Sequence, residues 1–391
     1  MSYVQELRCT VPAGSGTNIG IYQRMSALAR EEGAVNLAQG IPEAIFDPGW
    51  RQHALDVLSV SWQYTPTWGL PLLRDAVLRH HGLDDASACL ITQGCTGALA
   101  AAMHALAGTG VRQIVALEPF YSYYPGIAQL AGCRFTPTRL LGPVDRLSID
   151  WSDLEQKLAA GPAAFLVNSP HNPSGFVLAA EDWARIVRLC ERFDAVMLVD
   201  DVYRAFSYTQ PVPMPDAFPS IRSLWAGSVS KTLAGSGTRV GWLIGDRALV
   251  ERAHVAHMHM SNCLPAHLQI AAARLLDALT SDVMQEIRQR YLRRRDRLTA
   301  ALTARDFLCA HADGGHFVLA ACDVPPDIDM DEYCVAFARR HGVAALPVGG
   351  FFMRDAPSWM RFSFAVSDDE MDLACQRITE MSVEKSYVSD I

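Results

Sequence analysis

Between Ser228 and Trp242 the chain reads SVSKTLAGSGTRVGW, which sets one lysine after a short apolar run, among hydroxyls and glycines, with a lone arginine behind it. An amine in such a place is costly unless it has a task. Lys231 therefore reads as a nucleophile that holds a cofactor covalently. A second stretch, CLITQGCTGALAAAMHAL, passes from strand through a glycine turn bracketed by Gly94 and Gly97 into a strongly helix-forming run from Ala98 to Leu106. Unpaired amides at such a helix start, with the Thr96 hydroxyl, suit a phosphate. The stretch is neither a GxGxxG fingerprint nor a Walker loop, so a nucleotide is not indicated. In AVNLAQGIPE, a short strand broken at Gly40, the glycine either makes a turn or lets the backbone approach a ligand.

The elements that must position these groups alternate along the chain. Cys89 to Thr92 and the runs VRQIVALEP, AAFLVNSP, DAVMLVDD and RSLWAGS are short and nearly continuously apolar, as strands buried on both faces of a parallel sheet are. Their polar ends carry Tyr121, Asn172, Asp200 with Tyr203, and Ser228 with Lys231, at the carboxyl edge where open sheets bind ligands. Between them WSDLEQKLAA and AEDWARIVRLCERF have helical periodicity, the first with Ser152 and Glu155 as a capping box. A further helix begins near Pro71, with Leu72, Leu73, Ala76 and Val77 on its buried face. Beyond RVGWLIGD the arginines of QEIRQRYLRRRDRL form the solvated face of one long helix, and GGHFVLA and WMRFSFA supply strands of a smaller α+β unit. The expected fold is α/β, with a large domain around a mostly parallel sheet and a smaller α+β domain.

At 391 residues and 50% hydrophobic, the chain can build both cores. A net charge of −8 without a basic stripe argues against nucleic acid and anionic membranes as partners. The 10 cysteines are scattered and none has CxxC spacing, which fits reduced thiols in the cytoplasm better than disulfides. No signal peptide or membrane-length apolar run is evident, and residues 1–18 read as a loose arm. His254, His257 and His259 cluster in HVAHMHM, but a metal would need a further ligand, so a solvated or interface helix is preferred.

Taken together, NSPHNPSG, VDDVY, SVSKTLAGSGTRVGW and MRFSFA resemble the signature motifs of class I/II aminotransferases, fold-type-I enzymes dependent on pyridoxal 5′-phosphate. NLAQGIPE, QYTPTWGLPLL and EPFYSYYP are similar to the kynurenine, glutamine, methionine and aromatic aminotransferase branch. The resemblance implies that Lys231 forms a Schiff base with the cofactor and then moves the proton of the substrate's α-carbon. It implies that Asp200 pairs with the ring nitrogen, which keeps the ring an electron sink, while Asp201 points to the other face. Asn172 and Tyr203 correspond to donors to the ring hydroxyl, and Tyr121 to the aromatic that stacks on the ring. Gly94, Cys95, Thr96, Ser228, Ser230 and Arg239 correspond to the phosphate cup, with Tyr64 reaching it across a homodimer interface. Cys95 stands where a small residue is usual, so its thiol is expected to be idle and only its amide in use. Arg361 corresponds to the arginine that takes the substrate α-carboxylate, a task for its planar fork. Plainer alternatives are surface packing for Tyr64, a helix cap for Asp200 and a surface ion pair for Arg361.

The same resemblance divides the chain into an arm (1–18), a first part of the small domain (19–44), a large cofactor-binding domain (45–285) and a small C-terminal domain (286–391). It sets the substrate pocket at Asn172 and Arg361 and near Tyr22, Gly40 and Ile41, with Asn262 and Cys263 entering from a second copy. SNCLPAH holds no arginine or lysine to clamp a second carboxylate. An apolar, aromatic, sulfur-containing or amide side chain is therefore expected, its amine passing to a 2-oxo acid. Elimination, γ-replacement or cyclisation on the same cofactor is the alternative, because all share Lys231, Asp200 and Arg361.

Overall fold

The computed structural model describes residues 19–42, 49–58, 62–83, 88–324 and 328–381, so the expected arm lies outside the described residues. Its main sheet has eight strands in the spatial order Ala88–Gln93, Val240–Gly245, Ser223–Ser228, Val196–Asp200, Ala163–Asn168, Gln113–Glu118, Arg134–Leu141 and Ser148–Ile149. The run from Ser223–Ser228 to Arg134–Leu141 is parallel, whereas Val240–Gly245 is antiparallel to both neighbours. Alternation explains the layering. Ile114, Ala116, Leu198 and Ala226 pack against the helices Gly94–Gly108 and Arg247–Met260. Val115, Leu117, Met197 and Val199 face the helices Trp151–Ala159 and Ala180–Phe193 on the other side.

A second sheet joins Leu308–Cys309, Phe317–Ala321, Trp359–Ser363 and Leu346–Pro347, and its pairings are antiparallel. Its core also takes in Met25 and Leu28 of the helix Ile19–Glu31 and Phe337 of Met330–His341, so the start and the end of the described chain share one core. Among the described residues no helix is long and apolar enough to cross a membrane.

Several local expectations change. The segment AVNLAQGIPE contributes only the two-residue strand Val35–Asn36. The helix after Gln93 starts at Gly94, and Gly97 lies inside it instead of closing a turn. Asp150, not Ser152, caps Trp151–Ala159, accepting the Asp153 amide at 3.0 Å. Leu72 is 41% exposed, the buried face of Pro71–His80 being Leu73, Ala76, Val77 and Leu78. The arginines of Ser281–Thr303 are not all solvated, because Arg294 is buried against Asp368 at 2.7 Å. His257 is wholly buried, while His254 bonds Thr67 at 2.8 Å and stacks on Trp68. Among the described residues no group of three metal-ligating side chains forms.

Candidate functional site

A cavity of about 300 Å³ opens at the carboxyl ends of the parallel strands. Local sequence explains how the lysine reaches it. Ser228 ends its strand and caps the one-turn helix Val229–Thr232, its hydroxyl accepting the Ser230 amide at 3.3 Å, so Lys231 follows directly on a rigid strand end. The Lys231 amine donates to the Gly40 carbonyl and lies 5.9 Å from the Tyr203 ring centre. Burial, then the charges of Arg361 and Arg239, lower its pKa to about 8, with Asp200 pulling the other way.

Asp200 is buried at the end of Val196–Asp200. Its carboxylate accepts the Tyr124 hydroxyl at 2.6 Å, the Cys95 thiol at 3.4 Å and the Val202 amide at 3.3 Å. Burial raises its pKa, and these three donors act against the rise. Asp201, the next residue, turns away to Arg204 and His81. Asn172, also buried, donates its backbone N–H to the Asn168 side-chain oxygen at 2.7 Å, and the Asn168 side chain in turn donates to the Asp200 carbonyl at 2.9 Å.

Arg361 comes from the small sheet, paired opposite Leu319. Its Nη1 donates to Asn172 at 3.0 Å and its Nη2 to the Ala38 carbonyl at 2.8 Å, while the buried Nε has no partner among the described residues. The Phe317 ring lies 3.9 Å from the guanidinium carbon and Phe351 5.1 Å. At the other end, Thr96, Ser228, Ser230 and Arg239 line the cavity together. Gly94, next to Arg239, has φ 71°, a left-handed conformation that favours glycine.

The structure thus gathers Tyr22, Gly40, Ile41, Cys95, Thr96, Tyr121, Asn172, Asp200, Tyr203, Ser228, Ser230, Lys231, Arg239 and Arg361 around one cavity. Tyr64 and Asn262 do not line it. Tyr64 is 86% exposed and, with Trp62, Cys263 and His267, lines a separate hollow of about 560 Å³; Asn262 is exposed at φ 61°. Sequence reasoning misses Tyr124, Asn168 and Phe317, and it misjudges the Cys95 thiol, which is engaged rather than idle.

These groups fit pyridoxal 5′-phosphate. A phosphate has Arg239, three hydroxyls and a helix start without a Cβ at Gly94; a ring nitrogen has a buried carboxylate; an aldehyde has an amine of lowered pKa; and a substrate carboxylate has the Arg361 guanidinium, whose buried Nε has no partner among the described residues.

The family model for aminotransferase class I and II matches residues 34–378. A probable N-succinyldiaminopimelate aminotransferase of Mycobacterium tuberculosis is 31% identical, over 93% of this chain and 96% of that one. The methionine aminotransferase of Escherichia coli is 28% identical, over 92% of this chain and 95% of its own length. The solved structure of N-succinyldiaminopimelate aminotransferase from Mycobacterium tuberculosis superposes with a TM-score of 0.83 at 30% identity, covering 92% of this chain and 96% of that one.

Proposed function

The chain belongs to the class I and II aminotransferases, enzymes that depend on pyridoxal 5′-phosphate, and from that premise we propose that its site passes the amine of an apolar, aromatic, sulfur-containing or amide amino acid to a 2-oxo acid. The observation that carries this reading is the convergence of the Lys231 amine, the Asp200 carboxylate and the Arg361 guanidinium on one cavity. Bound there, the cofactor supplies the sink for electrons released at the substrate's α-carbon.

Lys231 would hold the cofactor's aldehyde carbon, Asp200 its ring nitrogen, and Asn172 and Tyr203 its ring hydroxyl. Tyr121 would cover the ring face, and Gly94, Cys95 and Thr96, through their amides, with Ser228, Ser230 and Arg239, would hold the phosphate. Arg361 binds the substrate carboxylate and so fixes the α-carbon, while Phe317 and Phe351 keep water from the guanidinium. The released Lys231 amine, neutral above its pKa of about 8, would take the proton from the substrate's α-carbon and pass it on to the carbon it had held, not back to its source.

The substrate class is supported by the aromatic wall at Tyr22, Tyr123 and Phe317 and by a relative named for methionine. Asn262 and Cys263 would complete the pocket from a second copy of the chain, and Tyr64 would reach the phosphate, which makes the working unit a homodimer. We divide each copy into a first small-domain segment (19–44), a large domain (45–285) and a C-terminal small domain (286–391). Nine cysteines are free among the described residues, in keeping with a reducing, cytoplasmic setting.

The test is a panel of amino acids mixed with the purified, cofactor-loaded protein. Methionine, phenylalanine or glutamine should convert the cofactor to its amine form and release the matching 2-oxo acid, and Lys231→Ala should abolish turnover. Faster conversion of aspartate, or release of ammonia, would overturn the proposal.

A further inference from the structure

Cys95 stands on the first turn of the helix Gly94–Gly108, and Tyr124 opens the helix Tyr124–Leu130. From these two elements the Cys95 thiol reaches Asp200 Oδ1 at 3.4 Å and the Tyr124 hydroxyl reaches Oδ2 at 2.6 Å. We propose that Cys95 and Tyr124 act together as positioning residues, clamping the two carboxylate oxygens of Asp200 and so setting how firmly that carboxylate holds the cofactor's ring nitrogen. The proposal rests on the aminotransferase reading above.

A carboxylate on a single side-chain bond can rotate about its own axis. With one donor on each oxygen, and the Val202 amide on Oδ1 at 3.3 Å, its plane is fixed before any ligand arrives. Both side-chain donors keep their protons. Burial, followed by the charge of Asp200 itself, pushes the Cys95 thiol and the Tyr124 phenol well above their ordinary pKa values, so each can only donate to the carboxylate. The thiol divides its proton between Asp200 and the Ala226 carbonyl at 3.5 Å, and is the weaker of the pair. Around Asp200 the remaining ionisable groups are Asp201, which bonds Arg204, Lys231, which bonds Gly40, and the phenols of Tyr121 and Tyr203. None of these hydrogen-bonds the Asp200 carboxylate among the described residues. The clamp therefore opposes the burial that drives Asp200 toward its protonated form. Tyr124 also meets the Tyr121 ring edge-on at 5.5 Å, so one YSYY turn supplies both the stacking ring and half of the clamp.

The experiment compares cofactor-loaded wild type with Tyr124→Phe, Cys95→Ala, Cys95→Ser and the Tyr124→Phe/Cys95→Ala pair. Cofactor release on dilution and the pH titration of its bound absorbance are followed at about pH 6 and about pH 8. Removing a donor raises the Asp200 pKa, so holding is lost at a higher pH than in wild type. Tyr124→Phe should release cofactor about tenfold faster at the lower pH, as expected for a lost hydrogen bond to a charged group, and less so at the higher. Cys95→Ala should show a few-fold effect, and Cys95→Ser, which keeps a donor, should return to wild type. If the paired variant stays within twofold of wild type at both pH values, or if Cys95→Ser behaves as Cys95→Ala does, the clamp is overturned. The two Cys95 variants decide the matter even where Tyr124→Phe does not fold. A wild type that takes up no pyridoxal 5′-phosphate overturns the aminotransferase reading itself, a distinct failure.

Discussion

At the scale of single residues, the lowered pKa of Lys231, on which its proposed role depends, comes from the cost of charging an amine in its place. Its pKa of about 8 reflects burial first and the charges of Arg361 and Arg239 next. The neutral amine is the attacking form and its fraction grows with pH. Capture of pyridoxal 5′-phosphate by cofactor-stripped protein should therefore speed up with pH around a midpoint of about 8, and the midpoint should move upward in Arg361→Met, which removes one of the opposing charges. A stopped-flow pH series measures both; a wild-type midpoint near the ordinary lysine value of about 10.4 would contradict this account. Gly40 offers a steric test. A methyl there would stand 2.3 Å from the Phe317 ring that covers Arg361. Gly40→Ala should raise KM about tenfold, in line with overpacking costs of about 1–3 kcal/mol, and Phe317→Leu in the same chain should recover part of it. An unchanged KM in the single variant would remove the contact from the substrate site. Lys231, Asp200 and Arg361 are legible in sequence because a charge beside an apolar run needs a reason. Tyr124 is not, since YSYY offers three phenols and only the path of the chain decides which one meets Asp200.

At the scale of elements, the strand ends hold more than the cofactor site. Glu118, buried at the end of Gln113–Glu118, accepts the Met353 amide at 2.7 Å and lies 3.5 Å from Arg139, whose guanidinium donates to the carbonyls of Arg354 and Asp355. The Phe120 amide bonds the Phe351 carbonyl at 2.9 Å. These bonds tie the segment that carries Phe351, a neighbour of Arg361, to the main sheet. Glu118→Ala should loosen it, raising KM for the amino acid several-fold and exposing the bond after Arg354 to trypsin; digestion at the wild-type rate would show that the tie bears no strain. Capping supplies a second prediction. Asp150→Ala should lower stability by about 1 kcal/mol while Ser152→Ala leaves it nearly unchanged, as read by thermal unfolding; the reverse order would restore the capping box that the sequence suggests. The buried parallel strands are legible because an apolar run with turn residues at each end has few other uses. Arg134–Leu141 is not, because Pro137 interrupts it and, near the sheet edge, only Thr138 and Leu140 are buried while Arg139 and Leu141 face solvent.

At the scale of the whole molecule, one chain supplies most of the site but leaves Tyr64 and Asn262 outside its cavity. No spacing argument could reveal this, because which surface faces a second copy is a property of the folded shape. Trp62 and Tyr64, 75% and 86% exposed, stand beside Cys263 and His267 around the hollow of about 560 Å³. Large aromatics left in water around a concavity mark a surface that gains by being covered. In the proposed homodimer a second copy is the occupant, and it would also bring Tyr64 to a phosphate and Asn262 to a substrate. Trp62→Glu places a charge on that face, where, once covered by a second copy, a desolvated carboxylate without a partner would cost several kcal/mol, on the order of a thousandfold or more in association. Light scattering should show a dimer for the wild type and a monomer for Trp62→Glu, and the monomer should release its cofactor faster because the Tyr64 contact is gone. Tyr64→Phe separates the two effects: it should leave the dimer intact and still speed release. A Trp62→Glu protein that remains dimeric would move the interface elsewhere, and a wild-type monomer with full activity would mean that one chain completes its own site.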